Sequence, residues 1–135
     1  MDLQIQGKTA LVTGSTAGIG LAIGRRLAAE GAQVVLTGRD PDKLQQAVEE
    51  LRASTGAEVS GVVADVATAE GAATVQASVP EVDILVNNLG IYESKAFEQI
   101  TDTDWHRYFE INVMSGVRMA RGYFPTMLTS GTGRI

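Results

Sequence analysis

The chain predicts an α/β fold on a doubly wound parallel sheet, and three observations carry that prediction. Short apolar runs alternate with stretches of helical period, the pattern of strand–helix–strand units. A glycine-rich segment, Thr13-Gly14-Ser15-Thr16-Ala17-Gly18-Ile19-Gly20, joins the first such run to the first such stretch. The composition, 44% hydrophobic and 20% charged, suits a soluble core, and no run approaches the ~18 apolar residues that span a bilayer.

Each element has a local reason. Residues 9–13 read as a buried strand, and residues 19–30 as a helix with Ile19, Ala22, Ile23 and Leu27 inward and Gly31 as its stop. Residues 33–37 form a second strand. Asp40 then caps a helix opened by Pro41, whose stripe Leu44, Ala47, Val48, Leu51 ends at Gly56. A third strand covers 59–64, a weaker helix about 70–78, and a fourth strand 84–87. Thr101-Asp102 caps a long helix with the stripe Trp105, Phe109, Gly116, Ala120, Phe124, which Pro125 is expected to kink or end. After the turn Ser130-Gly131-Thr132-Gly133, Arg134-Ile135 reads as the opening of another strand, so the sheet is expected to be cut after its fourth strand and the long helix.

Composition removes several function classes. Eleven Lys+Arg against sixteen Asp+Glu, a formal charge of −5, argues against a nucleic-acid partner, which needs a basic face. No Cys and one His leave no thiolate nucleophile and no Cys- or His-based metal site. The carboxylates Glu98, Asp102, Asp104 and Glu110 fit a solvated face and a helix start, and His106 a surface position. Met1-Asp2-Leu3-Gln4 lacks a basic and an apolar signal region, so a cytoplasmic protein without a membrane partner is expected.

The glycine segment follows a strand and opens a helix. Gly14 suits the tight turn, Gly18 a close approach of backbone to a pyrophosphate, and Gly20 close packing of helix on sheet. Phosphate would rest on the free N–H groups and positive end of the helix. The bland alternative is a strand–helix turn that merely needs glycine. No Gly-Lys-[Ser/Thr] occurs, so this is not a nucleoside-triphosphate loop of the Walker kind.

With these motifs the chain resembles the short-chain dehydrogenase/reductase family. The resemblance rests on Thr-Gly-x-x-x-Gly-Ile-Gly at Thr13 to Gly20 and on Asp65-Val66 after the third strand. It rests also on Asn87-Asn88-Leu89-Gly90, with Leu89 where Ala is typical, and on Asn112 in Glu110-Ile111-Asn112-Val113. It covers the whole chain in order and implies a Rossmann-like sheet of order 3-2-1-4-5-6-7. It also implies cofactor contacts from Gly14, Ser15, Thr16, Gly18, Ile19 and Gly20, from Asp65 and Val66 beside the adenine, and from Asn88 and Gly90 on the nicotinamide side.

At the end of the second strand an acid would accept from a ribose 2′-OH and repel a 2′-phosphate. Here Gly38 takes the family's acidic position and Arg39 follows, 19 residues after Gly20. A guanidinium grips phosphate with two prongs, which puts NADP ahead of NAD. The alternative is a surface Arg neighboured by Asp40 and Asp42, and Ala17 withholds the second basic residue that many NADP-preferring relatives carry.

Asn112 lies in the expected stripe of the long helix, where a buried amide needs specific partners. It reads either as a structural clamp at a helix bend or, by the resemblance, as the catalytic Asn of a tetrad with Ser, Tyr and Lys. The family's Tyr-x-x-x-Lys is absent: Tyr92, Tyr108 and Tyr123 are followed four residues on by Ala96, Asn112 and Met127. The family's Ser would come shortly after a Gly-Arg-Ile strand opening, here Gly133-Arg134-Ile135. Residues 1–135 are therefore expected to be the N-terminal part of a single NAD(P)-binding domain, about half of the roughly 250 residues such a fold requires.

The expected function is hydride transfer between NADP(H) and a small alcohol or carbonyl substrate, in a full-length homo-oligomer (dimer or tetramer). The alternative from another class is a non-catalytic dinucleotide-binding or regulatory module. An unrelated Rossmann enzyme such as a methyltransferase would leave Asn87-Asn88-Leu89-Gly90 and Asn112 without a role.

Overall fold

The computed structural model describes residues 2–135 and arranges them as alternating strands and helices around one parallel sheet. Strands β1 (Thr9–Val12), β2 (Gln33–Gly38), β3 (Val59–Val63) and β4 (Ile84–Val86) lie in the order β3-β2-β1-β4. Helices α1 (Gly18–Ala29), α2 (Pro41–Thr55) and α3 (Ala69–Ser78) connect them. After β4 come a 3-10 turn (Phe97–Gln99), α4 (Asp102–Phe109), a π-helical stretch (Glu110–Met114) and α5 (Ser115–Ser130).

The double winding follows from strand geometry. Successive side chains of a strand point to opposite faces, so Ala10 and Leu11, or Val34 and Val35, divide between two cores. Ala10, Val34, Leu36 and Val59 meet Ala28 of α1 and Leu44, Val48 and Leu51 of α2. Leu11, Val35 and Leu85 meet Ala72 and Val75 of α3 and Met119, Tyr123 and Met127 of α5. Leu11 sits between Val35 and Leu85 in register, so β1 is buried on both faces and at both edges. Arg134 continues the pattern: Leu85 N–H donates to its carbonyl and its own N–H donates to that of Asp83, both at 2.9 Å, as the first step of a further parallel strand.

The caps act as their residue types dictate. Asp40 accepts from the N–H groups of Asp42 and Lys43 ahead of Pro41, and Gly56 closes α2 at φ 68°. Thr101 and Asp104 cap α4 reciprocally.

Three expectations are corrected. First, α1 turns Gly20, Gly24 and Ala28 inward, and Ile19 and Ala22 outward. Small residues let the helix sit close to the sheet: a Cβ on Gly24 would stand 3.0 Å from Leu36 and 3.4 Å from Leu51. Second, the inward row of α5 is Ser115, Met119, Tyr123, Met127, while Phe124 on α5, like Trp105 and Phe109 on α4, is more than half exposed. The two rows share a four-residue spacing and differ by one residue. The buried row wins because its polar atoms find partners. Tyr123 Oη donates to Val79 O at 2.8 Å and Ser115 Oγ to Ile111 O at 2.5 Å. Third, Pro125 does not end α5, which runs on to its cap at Gly131, φ 70°. Pro125 stands on the exposed side, where a helix carbonyl that lacks an N–H partner stays open to solvent.

Candidate functional site

The carboxyl ends of β1, β2 and β4 converge on the segment that joins β1 to α1, where the strand order reverses direction. In open α/β sheets that crevice is where ligands bind. Gly14 and Gly18 adopt φ 60° and 56°, a backbone region that side chains disfavour. Open space lies where a Cβ on Gly18 would be. Side chains cap α2, α3 and α4, but Ala17 offers none to α1 and its first turn holds no acid. The first-turn N–H groups of α1 thus keep their positive end for an outside anion.

The turn is braced from β4. Asn88 Nδ2 donates to the carbonyls of Thr13 and Gly14, each at 3.0 Å. Thr13 Oγ1 accepts from the N–H groups of Asn88 (3.0 Å) and Leu89 (3.1 Å). Gly20 lies beneath this brace, where a Cβ would stand 2.5 Å from Asn88 Nδ2 and from Gly14 O. Sequence reading missed Thr13 as part of the site, and its place at the strand end before the glycine turn is the available signal.

Ser15 requires a correction. It is 0% exposed, its hydroxyl donates to Val12 O at 2.7 Å and accepts from Thr37 N–H at 2.9 Å, and its own N–H donates to Thr37 O. Its polar groups join β1 to β2, so its side chain turns into the sheet and away from the cleft. Ser15→Ala is expected to cost about 1–2 kcal/mol, because the Thr37 N–H is left buried without that acceptor. Urea unfolding of the full-length protein would show it, with little change in dinucleotide affinity. Lost affinity at unchanged stability would make Ser15 a ligand after all.

A cleft of about 210 Å³ opens beside the turn, lined by Gly14, Thr16, Ala17, Thr37, Gly38, Arg39, Ala64, Asp65, Val66 and Leu89. Five of the expected cofactor residues therefore share it: Gly14, Thr16, Arg39, Asp65 and Val66. Gly18 and Ile19 form the exposed start of α1, Gly20 and Asn88 support the turn, and Gly90 lies farther along the loop after β4. A Cβ on Gly38 would meet Thr16 Cγ2, so a side chain at that position would require Thr16 to rotate. Leu89, whose Cα and Cδ1 press against Gly14, supplies apolar surface to the cleft and was legible only as a departure from Ala. Arg39 is 79% exposed at its side chain, with Nη1 4.0 Å from Asp65 Oδ2.

Asn112 sits in the π-helical stretch, where the widened turn presents it to the loop after β4. Its Oδ1 accepts from Ile91 N–H at 2.7 Å and its Nδ2 donates to Ile91 O at 3.0 Å. The expected partners are present, but the residue is exposed, not buried, because the inward row of the helix passes to its side. Beyond Ile91, Lys95 Nζ holds Asp104 Oδ2 at 2.8 Å. That bond, with donors from the backbone and hydroxyl of Thr101, lowers the Asp104 carboxyl to about 2. Burial instead raises the Tyr123 phenol to about 12, so it stays protonated as a core donor. Among the described residues there is no cluster of three metal-ligating side chains, and no helix is long and apolar enough to cross a membrane.

Comparison with known proteins gives one answer. The family model for short chain dehydrogenases matches residues 8–135. The oxidoreductase YvaG of Bacillus subtilis is 48% identical over 136 residues, covering all of this chain and 52% of that protein. The crystal structure of L-sorbose reductase from Gluconobacter frateurii, complexed with NADPH and L-sorbose, superposes with a TM-score of 0.91 at 43% identity. It covers 98% of this chain and 52% of that one. A metagenomic short-chain oxidoreductase in complex with NADP superposes at 0.83 with 31% identity, over 96% of this chain and 60% of that one. The chain spans about half the length of the curated relatives it matches.

Proposed function

The chain belongs to the short chain dehydrogenase family, and on that premise we propose that it is the cofactor-holding part of an NADP(H)-dependent alcohol/carbonyl oxidoreductase. The family's Ser and Tyr-x-x-x-Lys would lie outside these 135 residues. One observation carries the reading: an uncapped α1 behind a glycine turn, beside a cleft that ends at Arg39.

The residues present fit a dinucleotide. The first-turn N–H groups of α1 and the open space before Gly18 would take the pyrophosphate. Val66 and Leu89 offer apolar surface to the adenosine, with Asp65 at its edge and Arg39 facing a 2′-phosphate. When bound, the nicotinamide supplies a hydride donor or acceptor to the carbon of the substrate. Asn112 fixes both backbone groups of Ile91 and so orients the loop that leads away from Gly90. That clamp is compatible with the catalytic role the family resemblance implies for Asn112. NAD is the runner-up cofactor.

The same reading makes the full protein a cytoplasmic homo-oligomer. Supporting it is an exposed apolar face made by Trp105, Phe109, Val113, Val117, Phe124 and Leu128. The second reading, a non-catalytic nucleotide-binding module, draws on the absence of Tyr-x-x-x-Lys from these residues. Carbonyl-dependent NADPH oxidation, followed by nicotinamide absorbance, separates the two. The full-length protein is expected to show it and the 135-residue chain alone to show none. Turnover by the short chain, or NADPH binding without turnover by the full-length protein over a panel of ketoses and aldehydes, would overturn the proposal.

A further inference from the structure

We infer that Asp65 is a specificity-determining counter-charge: it faces Arg39 across the adenosine end of the cleft and holds the preference for a 2′-phosphorylated nucleotide below what Arg39 alone would give. The inference rests on the dinucleotide reading above and concerns a different question, how strongly the two cofactors are told apart.

Both residues line the same cleft, from the ends of two neighbouring strands, with Arg39 Nη1 4.0 Å from Asp65 Oδ2. Among the described residues Arg39 pairs with Asp65 and with neither Asp40 nor Asp42, and Asp40 Oδ1 accepts from the N–H groups of Asp42 and Lys43 as the cap of α2. Asp65 keeps its own turn with its other oxygen: Oδ1 accepts from Ala67 N–H at 3.1 Å. The oxygen nearer Arg39 is therefore free to act by charge.

Distance and exposure decide what that charge does. A contact of 4.0 Å to a guanidinium that is 79% exposed is too long and too wet to order Arg39 for a ligand. What remains is Coulombic. A phosphate arriving at Arg39 shares the guanidinium with a carboxylate already beside it, and a ribose hydroxyl does not. Asp65 thus penalises NADP and leaves NAD nearly untouched, which narrows the gap that Arg39 opens.

The test measures affinities of 2′,5′-ADP and 5′-AMP for the full-length protein by calorimetry, in wild type, Asp65→Asn, Arg39→Ala and the double variant. Asn keeps an acceptor for Ala67 N–H and removes only the charge. Asp65→Asn is expected to raise the ratio of the two affinities roughly three- to tenfold at low salt, fading toward 1 M salt. With Arg39 already replaced, nothing draws the 2′-phosphate to the Asp65 side of the cleft and only their direct repulsion remains, so the same change is expected to move the ratio by less than it does beside Arg39. An unchanged ratio, an equal loss for both nucleotides, or the same gain without Arg39 overturns the inference. Failure of wild type to bind either nucleotide overturns the dinucleotide reading itself, and this inference with it.

Discussion

Gly20→Ala is expected to destabilise the protein by about 2–4 kcal/mol and to abolish dinucleotide binding, because three immovable neighbours surround the place of the added methyl. A Cβ there stands 2.5 Å from Gly14 O, 2.5 Å from Asn88 Nδ2 and 2.9 Å from Ser15 Cα. Two of these atoms are backbone, and the third is an amide held by two hydrogen bonds to the turn. Relief requires α1 to lift off the sheet or Asn88 to release the turn. Lifting the helix breaks the close contact of Gly24 with Leu36 and Leu51. Releasing Asn88 leaves the carbonyls of Thr13 and Gly14 without those donors and lets the phosphate-facing N–H groups drift. Urea unfolding and NADPH titration of the full-length variant measure the two effects. Ile19→Ala, one residue away and 75% exposed, is the control, expected to stay within about 0.5 kcal/mol. A Gly20→Ala protein with wild-type midpoint and affinity would refute the argument.

What was readable in the sequence was what is decided locally. Asp40-Pro41 and Gly56 bound α2, Thr101 starts α4, though its capping partner is Asp104 and not Asp102, and the strands before them are short apolar runs whose burial on both faces needs no periodicity. The parallel pairing followed from those units, and the strand order from the family resemblance. The choices that failed are ones a neighbour makes. Two rows run down α5 one residue apart with equal spacing, and it is a tertiary partner, the Val79 carbonyl that accepts from Tyr123 Oη, that favours one of them. Along α1 the reading favoured large residues, whereas the sheet selects small ones, so Gly20 and Gly24 go inward.

The site divides in the same way. The glycine turn and Arg39 were picked out by residue type and spacing, and Gly14 and Arg39 line the same cleft. Ser15 was taken for a ligand because its motif position says nothing of where its hydroxyl points, which is to Val12 and Thr37. Gly71 drew no notice inside an Ala-rich helix. Yet a Cβ there would collide with the Asp65 carbonyl, so this glycine lets α3 start directly under the residue that faces Arg39. The pairing of Asp65 with Arg39 joins residues on neighbouring strand ends, a proximity that exists only once β2 and β3 are in register.

Arg39→Ala is expected to weaken NADP binding by about ten- to a hundredfold and NAD binding by less than about twofold, since a charge-assisted hydrogen bond contributes about 1.5–3 kcal/mol. The competing view makes Arg39 a surface residue satisfied by Asp40 and Asp42. In the structure Arg39 is indeed an exposed side chain, but among the described residues the carboxylate beside it is that of Asp65, on the cleft, and not that of Asp40 or Asp42. Among the described residues no second cation lines that cleft, Ala17 standing in the turn, so on the proposed reading the charge that would answer a 2′-phosphate is concentrated in one side chain. Exposure of that side chain sets the lower bound, because solvent screens the contact, and two-pronged geometry sets the upper. Arg39→Lys divides the two contributions. A point charge without the fork is expected to restore part of the NADP affinity and less of it as salt rises. Equal losses of NADP and NAD in Arg39→Ala, measured by titration of the full-length protein, would make Arg39 a support of the fold and would move the 2′-phosphate away from the end of β2.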